Sequence, residues 1–137
     1  MRDHGYMLKA SGGAIYFING NVLELKNCSF VGNSAIVAGA VYAIPVANQY
    51  RGQLKMSNCL FVDNSALQAG VLYMGSAWSV TQYSNVMGEI ESCSFVGNSA
   101  YDVGGAILVA NLPLAIELSL FDGNSAFQGG AIVSFQV

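Results

Sequence analysis

The chain has 137 residues, 53% of them hydrophobic and only 9% charged, with a formal net charge of −3. A soluble domain ordinarily carries about 25% charged residues, so Ser, Asn, Gln and Gly must cover this surface in place of ions. Five Lys and Arg in total are too few for a basic patch, which argues against nucleic acid as a partner.

The first residues, MRDHGYMLKASGG, lack the apolar core of a signal peptide, so no secretion signal is visible in this chain. A first strand reads from SGGAIYF (11–17), and a second from Val22–Lys26, where Leu23 and Leu25 alternate with Glu24. Alternation with period two puts one side of a strand inward. NCSFVGNSAIVAGAVY (27–42) follows, and this segment then returns as NCLFVDNSALQAGVLY (58–73), SCSFVGNSAYDVGGAIL (92–108) and LSLFDGNSAFQGGAIV (118–133). Strands Gln53–Ser57, Gly88–Glu91 and Leu114–Glu117 precede the three later copies. The stretch from Val103 to Phe121 looks apolar, but Gly104, Gly105, Asn111, Pro113 and Glu117 interrupt it. It coincides with the repeat, so no transmembrane segment is expected.

The repeat has the form C-x-F-x-x-N-S-A-x2–3-G-G-A-I-Y. Its anchor residues Asn33, Asn64, Asn98 and Asn124 are spaced by 31, 34 and 26 positions. The motif itself stays nearly constant, so the variation lies in one segment, between the GGAIY-like strand and the next LxLxxC. Insertions confined to one place per repeat indicate stacked coils with loops along one edge. The predicted fold is all-β: a right-handed parallel β-helix of four to five coils, each with three short strands, because parallel crossovers are right-handed. It forms a single solenoid domain over 1–137, with coils near 11–33, 34–64, 65–98, 99–124 and 125–137.

Aligning the coils predicts columns. Phe30, Phe61, Phe95 and Phe121 stack inward as an aromatic column, and Ala35, Ala66, Ala100 and Ala126 line a tight corner. Asn33, Asn64, Asn98 and Asn124 form an amide ladder, each side chain bonding the next coil and its own turn backbone. The glycine pairs Gly12-Gly13, Gly104-Gly105 and Gly129-Gly130 suit positive φ or close backbone approach; Gly39 and Gly70 retain only one glycine of the pair.

The F-x-x-N pair followed by G-G-A-I resembles the repeat of the chlamydial polymorphic membrane proteins. Phe95 and Asn98 with Gly104-Gly105-Ala106-Ile107 carry the resemblance, as do Phe121 and Asn124 with Gly129-Gly130-Ala131-Ile132. The copies at Phe30 and Phe61 match its first half and continue as Ala-Gly-Ala-Val and Ala-Gly-Val-Leu. The resemblance implies a pectin-lyase-like right-handed β-helix on a cell surface, used as an adhesin passenger. This sequence contains no autotransporter barrel.

The cysteines Cys28, Cys59 and Cys93, with Ser119 in the fourth place, read as a buried column of free thiols. Zinc-type spacing is missing, and parallel Cβ vectors stay farther apart than a disulfide prefers. Glu24, Lys55 and Glu89 share one outward column, and Glu91 and Glu117 another. The Glu24–Lys55–Glu89 alternation reads as a solvated salt-bridge ladder, which argues against carboxylates paired for acid–base work. A polysaccharide-active enzyme would need clustered acids and a basic residue. Here the arginines are Arg2 and Arg51, the lone histidine is His4, and Asp63, Asp102 and Asp122 form no column. No catalytic, metal or cofactor site is expected, and the expectation is a non-enzyme. Asn27-Cys28-Ser29 is a formal N-glycosylation sequon.

Two long insertions escape the repeat: Ala43–Gln53, with Tyr50 and Arg51, and Met74–Met87, with Trp78 and Tyr83. Aromatic and Arg side chains on loops suit ligand contact or simple cover of strand edges. Two functions follow. One is an extracellular or cell-surface module, adhesin-like or surface-structural, whose ligand is a surface glycan or protein. The other is a self-assembling fibre or sheath subunit. No polar cap is readable at either end, so end-to-end stacking on another copy, or continuation into further coils, is expected.

Overall fold

The computed structural model describes residues 11–18, 22–44, 53–75, 87–110 and 113–135. In chain order its strands are β1 (Ile15–Ile18), β2 (Val22–Lys26), β3 (Ser29–Val31), β4 (Val41–Ile44), β5 (Gln53–Ser57), β6 (Leu60–Val62), β7 (Ser65–Gln68) and β8 (Leu72–Gly75). They continue as β9 (Met87–Glu91), β10 (Ser94–Val96), β11 (Ser99–Val103), β12 (Ile107–Ala110), β13 (Leu114–Glu117), β14 (Leu120–Asp122) and β15 (Ile132–Phe135). None is longer than five residues, which is too short for any strand to stand alone. Each becomes stable by pairing with its counterpart one coil away.

The pairing is parallel throughout. One sheet runs β1-β4-β8-β12-β15, a second β2-β5-β9-β13 and a third β3-β6-β10-β14. The fold is the right-handed parallel β-helix that the repeat predicts, and register follows the motif alignment: Glu24 faces Lys55, which faces Glu89, and Phe30, Phe61, Phe95 and Phe121 meet in turn.

The structure adds a fourth column. β7 pairs with β11, and single bridges Ser34↔Ser65, Val37↔Gln68, Ser99↔Ser125 and Val103↔Gln128 extend the column to the other coils. The Asn-Ser-Ala segment reads locally as a turn. Stacking turns it into a strand, because the neighbouring coil supplies carbonyls at the right height: Ser65 N–H donates to Asn33 O at 3.0 Å and Ser99 N–H to Asn64 O at 2.9 Å.

The core lies inside the coils. Leu25, Met56 and Ile90 project from one sheet, Phe30, Phe61 and Phe95 from the second, and Val41, Leu72 and Ile107 from the third. Gly88 stands where Leu54 stands one coil earlier; Met74 and Leu114 occupy the space a side chain there would need. β12 is buried on both faces, whereas β4 alternates buried with half-buried residues.

Corners are set by backbone conformation at fixed places in the motif. The residue after the first strand of each coil is left-handed: Asn27 (φ 56), Asn58 (φ 54), Ser92 (φ 56) and Leu118 (φ 52). So is the residue before each anchor asparagine: Gly32 (φ 69), Asp63 (φ 55), Gly97 (φ 67) and Gly123 (φ 69).

The glycine pair divides its labour. The first position needs positive φ and is filled by Gly12, Ala38, Ala69, Gly104 and Gly129. The second is Gly13, Gly39, Gly70, Gly105 and Gly130. At Gly13, Gly39, Gly70 and Gly105, an added Cβ would collide with the carbonyl oxygen of the next glycine in the column. Where the sequence keeps one glycine, it keeps this second one. An alanine in the left-handed region costs about 1–2 kcal/mol, whereas a methyl driven into a neighbouring peptide has no accommodation.

Candidate functional site

The asparagine ladder is built at the corner after each phenylalanine. Asn64 and Asn98 are completely buried, so each amide must find all its partners within the protein. Asn64 Oδ1 accepts from Asn33 N–H (2.9 Å) and Asn33 Nδ2 (3.1 Å), while its Nδ2 donates to Phe30 O (3.0 Å) and Asn98 Oδ1 (3.0 Å). Asn98 repeats the pattern with Asn64 N–H and Nδ2, Phe61 O and Asn124 Oδ1. Both donors and both lone pairs of each amide are used. The backbone bond goes to the phenylalanine carbonyl of the preceding coil, not to the residue's own turn as the sequence suggested. A side chain reaches the adjacent coil more easily than it folds back over the left-handed residue before it.

The phenylalanine rings beside this ladder stack face to face. Centroids lie 5.0 Å apart for Phe30–Phe61, 4.8 Å for Phe61–Phe95 and 4.6 Å for Phe95–Phe121. F-x-x-N is therefore one structural unit: the ring fills the core, its carbonyl receives the asparagine of the next coil, and the left-handed residue between them turns the chain.

The thiols take part in a second ladder. Cys28, Cys59 and Cys93 are free, but only Cys59 and Cys93 are buried as the column predicts; Cys28, nearer one end of the stack, is half-buried. Each Sγ lies over the carbonyl two residues back: Cys28 over Lys26 (3.3 Å), Cys59 over Ser57 (3.4 Å) and Cys93 over Glu91 (3.4 Å). Ser119 Oγ donates to Glu117 O in the same way at 2.9 Å. The column asks for a small donor that closes the left-handed corner, and a hydroxyl serves as well as a thiol. Burial pushes the Cys59 thiol above its ordinary value, which suppresses the reactive thiolate.

The outward faces carry the remaining candidates. Glu24, Lys55 and Glu89 are in register, but among the described residues the ion pair formed is Lys26 Nζ–Glu24 Oε2 at 3.5 Å. Glu24 and Lys26, two apart on β2, share its outward face, and their flexible ends meet there although Lys55 stands in register with Glu24. Asn27 of the sequon is exposed. Tyr50, Arg51, Trp78 and Tyr83 lie outside the described residues. Their insertions leave from adjoining places, since β4 pairs with β8 and β5 with β9.

Two outward columns were not anticipated. Tyr16, Tyr42 and Tyr73 stack with centroids 5.2 Å apart, and burial, then the neighbouring phenols, raises the Tyr42 hydroxyl above its ordinary value. The signal was the terminal tyrosine of the motif. The second column is Ile36, Leu67, Tyr101 and Phe127, all exposed. A groove of about 460 Å³ beside it is lined by Ile36, Val37, Leu67, Gln68, Tyr101 and Asp102.

Residues 92–110 carry the parts in order: Cys93, Phe95, the left-handed Gly97, Asn98, Gly104, Gly105 and Ile107. This segment matches the family model of the Chlamydia polymorphic membrane protein repeat. The segment is similar to that repeat over these 19 residues. The other coils repeat its phenylalanine, asparagine and second glycine at structurally equivalent places. No curated protein and no solved structure shows significant similarity to the chain. The repeat implies association with the cell surface or outer membrane. Among the described residues no helix is long and apolar enough to cross a membrane.

Proposed function

We propose that this chain is a non-enzymatic, adhesin-like module displayed at a cell surface. The carrying observation is the polymorphic membrane protein repeat at residues 92–110. The arrangement of polar groups supports the reading. The buried asparagines are saturated by one another and by backbone, so none has a lone pair or proton to spend on a substrate. Asp63, Asp102 and Asp122 occupy three different places in the coil: a left-handed corner, the β7–β11 column and the β10–β14 column. Stacked coils whose uncommitted polar groups, among the described residues, lie on the outside are suited to presenting contact surface.

The test is binding of the purified chain to panels of intact cells and extracellular surfaces. The expected result is saturable retention that weakens in a Trp78→Ala/Tyr83→Ala variant, because loop aromatics are frequent contact anchors. Failure to bind any surface overturns the reading.

A further inference from the structure

The groove beside Ile36, Leu67 and Tyr101 has an origin in the sequence. Three copies of the motif place the same number of residues between the Asn-Ser-Ala step and the glycine corner. The third copy has one more: Asn98-Ser99-Ala100-Tyr101-Asp102-Val103-Gly104, against Asn64-Ser65-Ala66-Leu67-Gln68-Ala69. The register accordingly breaks between Ala100 and Val103, where β11 bulges against β7. A bulge bends its strand and re-aims a side chain. Here Tyr101 and Asp102 are thrust outward together. Tyr101 is 81% exposed and has no stacking partner among the described residues, unlike the ladder tyrosines. Phe127 follows on the next coil, 82% exposed.

The result is a shallow trough along the solenoid axis, with one apolar platform per coil and polar groups along its side. Gln68 supplies an amide and Asp102 a carboxylate. Its volume of about 460 Å³ falls in the range of small-ligand sites, which combine an apolar lining with a few placed polar groups.

We propose that this trough binds a neutral linear oligosaccharide lying along the axis. Three arguments select that chemistry. The first is ring against ring. The C–H face of a pyranose carries slight positive charge and packs on the negative face of an aromatic ring, and Tyr101 offers an unshared face. The second is polar complementarity. Vicinal hydroxyls donate to a carboxylate such as Asp102 and exchange hydrogen bonds with Gln68. A sialylated or sulfated chain would bring its own negative charge to Asp102 on a protein of net charge −3. The third is spacing. Platforms recur at the coil separation of about 4.8 Å, close to the advance of one sugar in an extended glycan. An extended peptide presents same-side residues about 6.6 Å apart and falls out of step within three coils. This site rests on the surface-module reading and names its ligand class.

The experiment is an array of neutral hexose and N-acetylhexosamine oligosaccharides, with sialylated and sulfated versions of the same backbones, probed with the purified chain. The expected result is binding to neutral members, with anionic counterparts at least tenfold weaker. Tyr101→Ala and Asp102→Ala should each weaken binding about tenfold, the loss of one good contact, with melting unchanged because both side chains are exposed. A blank array, a preference for anionic glycans, binding indifferent to Tyr101→Ala, or retention by extended peptides alone overturns the site. Cell-surface adhesion that survives Tyr101→Ala alongside a blank array sinks this site and spares the surface function. Oligosaccharide binding that needs Tyr101, without any cell adhesion, does the reverse.

Discussion

Each coil turns at an asparagine corner and at a glycine corner, and the two hold the coils together by opposite means. At the first, a side chain reaches into the neighbouring coil and supplies the hydrogen bonds that the turning backbone lacks. At the second, side chains are removed so that backbones can touch: Gly39 N–H meets Ala69 O at 3.0 Å and Gly105 N–H meets Gly129 O at 3.0 Å. The first corner depends on what is present and the second on what is absent, so substitutions should fail differently at the two.

The largest effect is expected at the glycine corner. Gly70→Ala places a methyl against the Gly105 carbonyl and should cost more than about 4 kcal/mol or prevent folding, the scale of exceptional substitutions. Its neighbour gives the control: Ala69→Gly relieves a φ of 62 and should be neutral or stabilising in urea titrations. If the two variants unfold alike, the division of labour within the glycine pair is wrong.

Next comes the asparagine corner. Asn98→Ala orphans Asn64 N–H and one of its two Nδ2 hydrogens, at about 1–3 kcal/mol per buried unsatisfied group. Asn98→Asp sharpens the point. It keeps the shape and the acceptor, but it replaces the donor to Phe61 O and Asn124 Oδ1 with a second acceptor and buries a charge. Asp should therefore be at least as damaging as Ala, while Asn27→Asp at the exposed corner should leave the melting temperature within a degree or two. An Asn98→Asp protein as stable as the parent would remove the ladder from the account.

Alkaline pH gives a smaller, distributed effect. Burial raises the Cys59 thiol and the Tyr42 and Tyr73 phenols above their ordinary values. The folded state then holds these protons after the unfolded chain has released them. Their stability contribution is complete below the unfolded thiol value near pH ~8.5 and is lost as pH rises through the raised values. Melting temperature should be flat from pH 7 to 8 and fall above it, and Cys59→Ser should shallow the first part of the decline. A flat profile to pH 11 contradicts it.

The smallest change is a gain. Leu118 occupies the left-handed place that Asn27 and Asn58 fill in other coils, is 81% exposed and has φ 52. Leu118→Asn should stabilise by about 1 kcal/mol, since asparagine tolerates that region where leucine does not. No rise in melting temperature would mean that Leu118 makes contacts which offset its backbone cost.

Much of this was legible beforehand because a solenoid is nearly one-dimensional. Each coil contacts its neighbours alone, so aligning the copies of the motif amounts to stacking them, and the register of Phe30 on Phe61 or Glu24 on Lys55 needs no further information. The same logic made the free thiols readable from Cys28, Cys59 and Cys93. The salt-bridge ladder was not readable, because register places Lys55 between Glu24 and Glu89 without deciding which flexible side chain reaches which.

By itself the sequence determined the strand order, the stacking register and which residues face inward, because period-two alternation and a fixed motif leave one arrangement that buries the apolar side. The tertiary structure alone decided three things. It made a fourth strand column from the Asn-Ser-Ala step, where local chemistry favours a turn and only the neighbouring coil supplies partners. It sent the asparagine Nδ2 across to the preceding phenylalanine carbonyl, a choice set by distances between coils. And it turned the one extra residue at Tyr101–Asp102, a variation of length in the sequence, into a bulge that opens a groove, because an unmatched residue in a register fixed on both sides can only move outward.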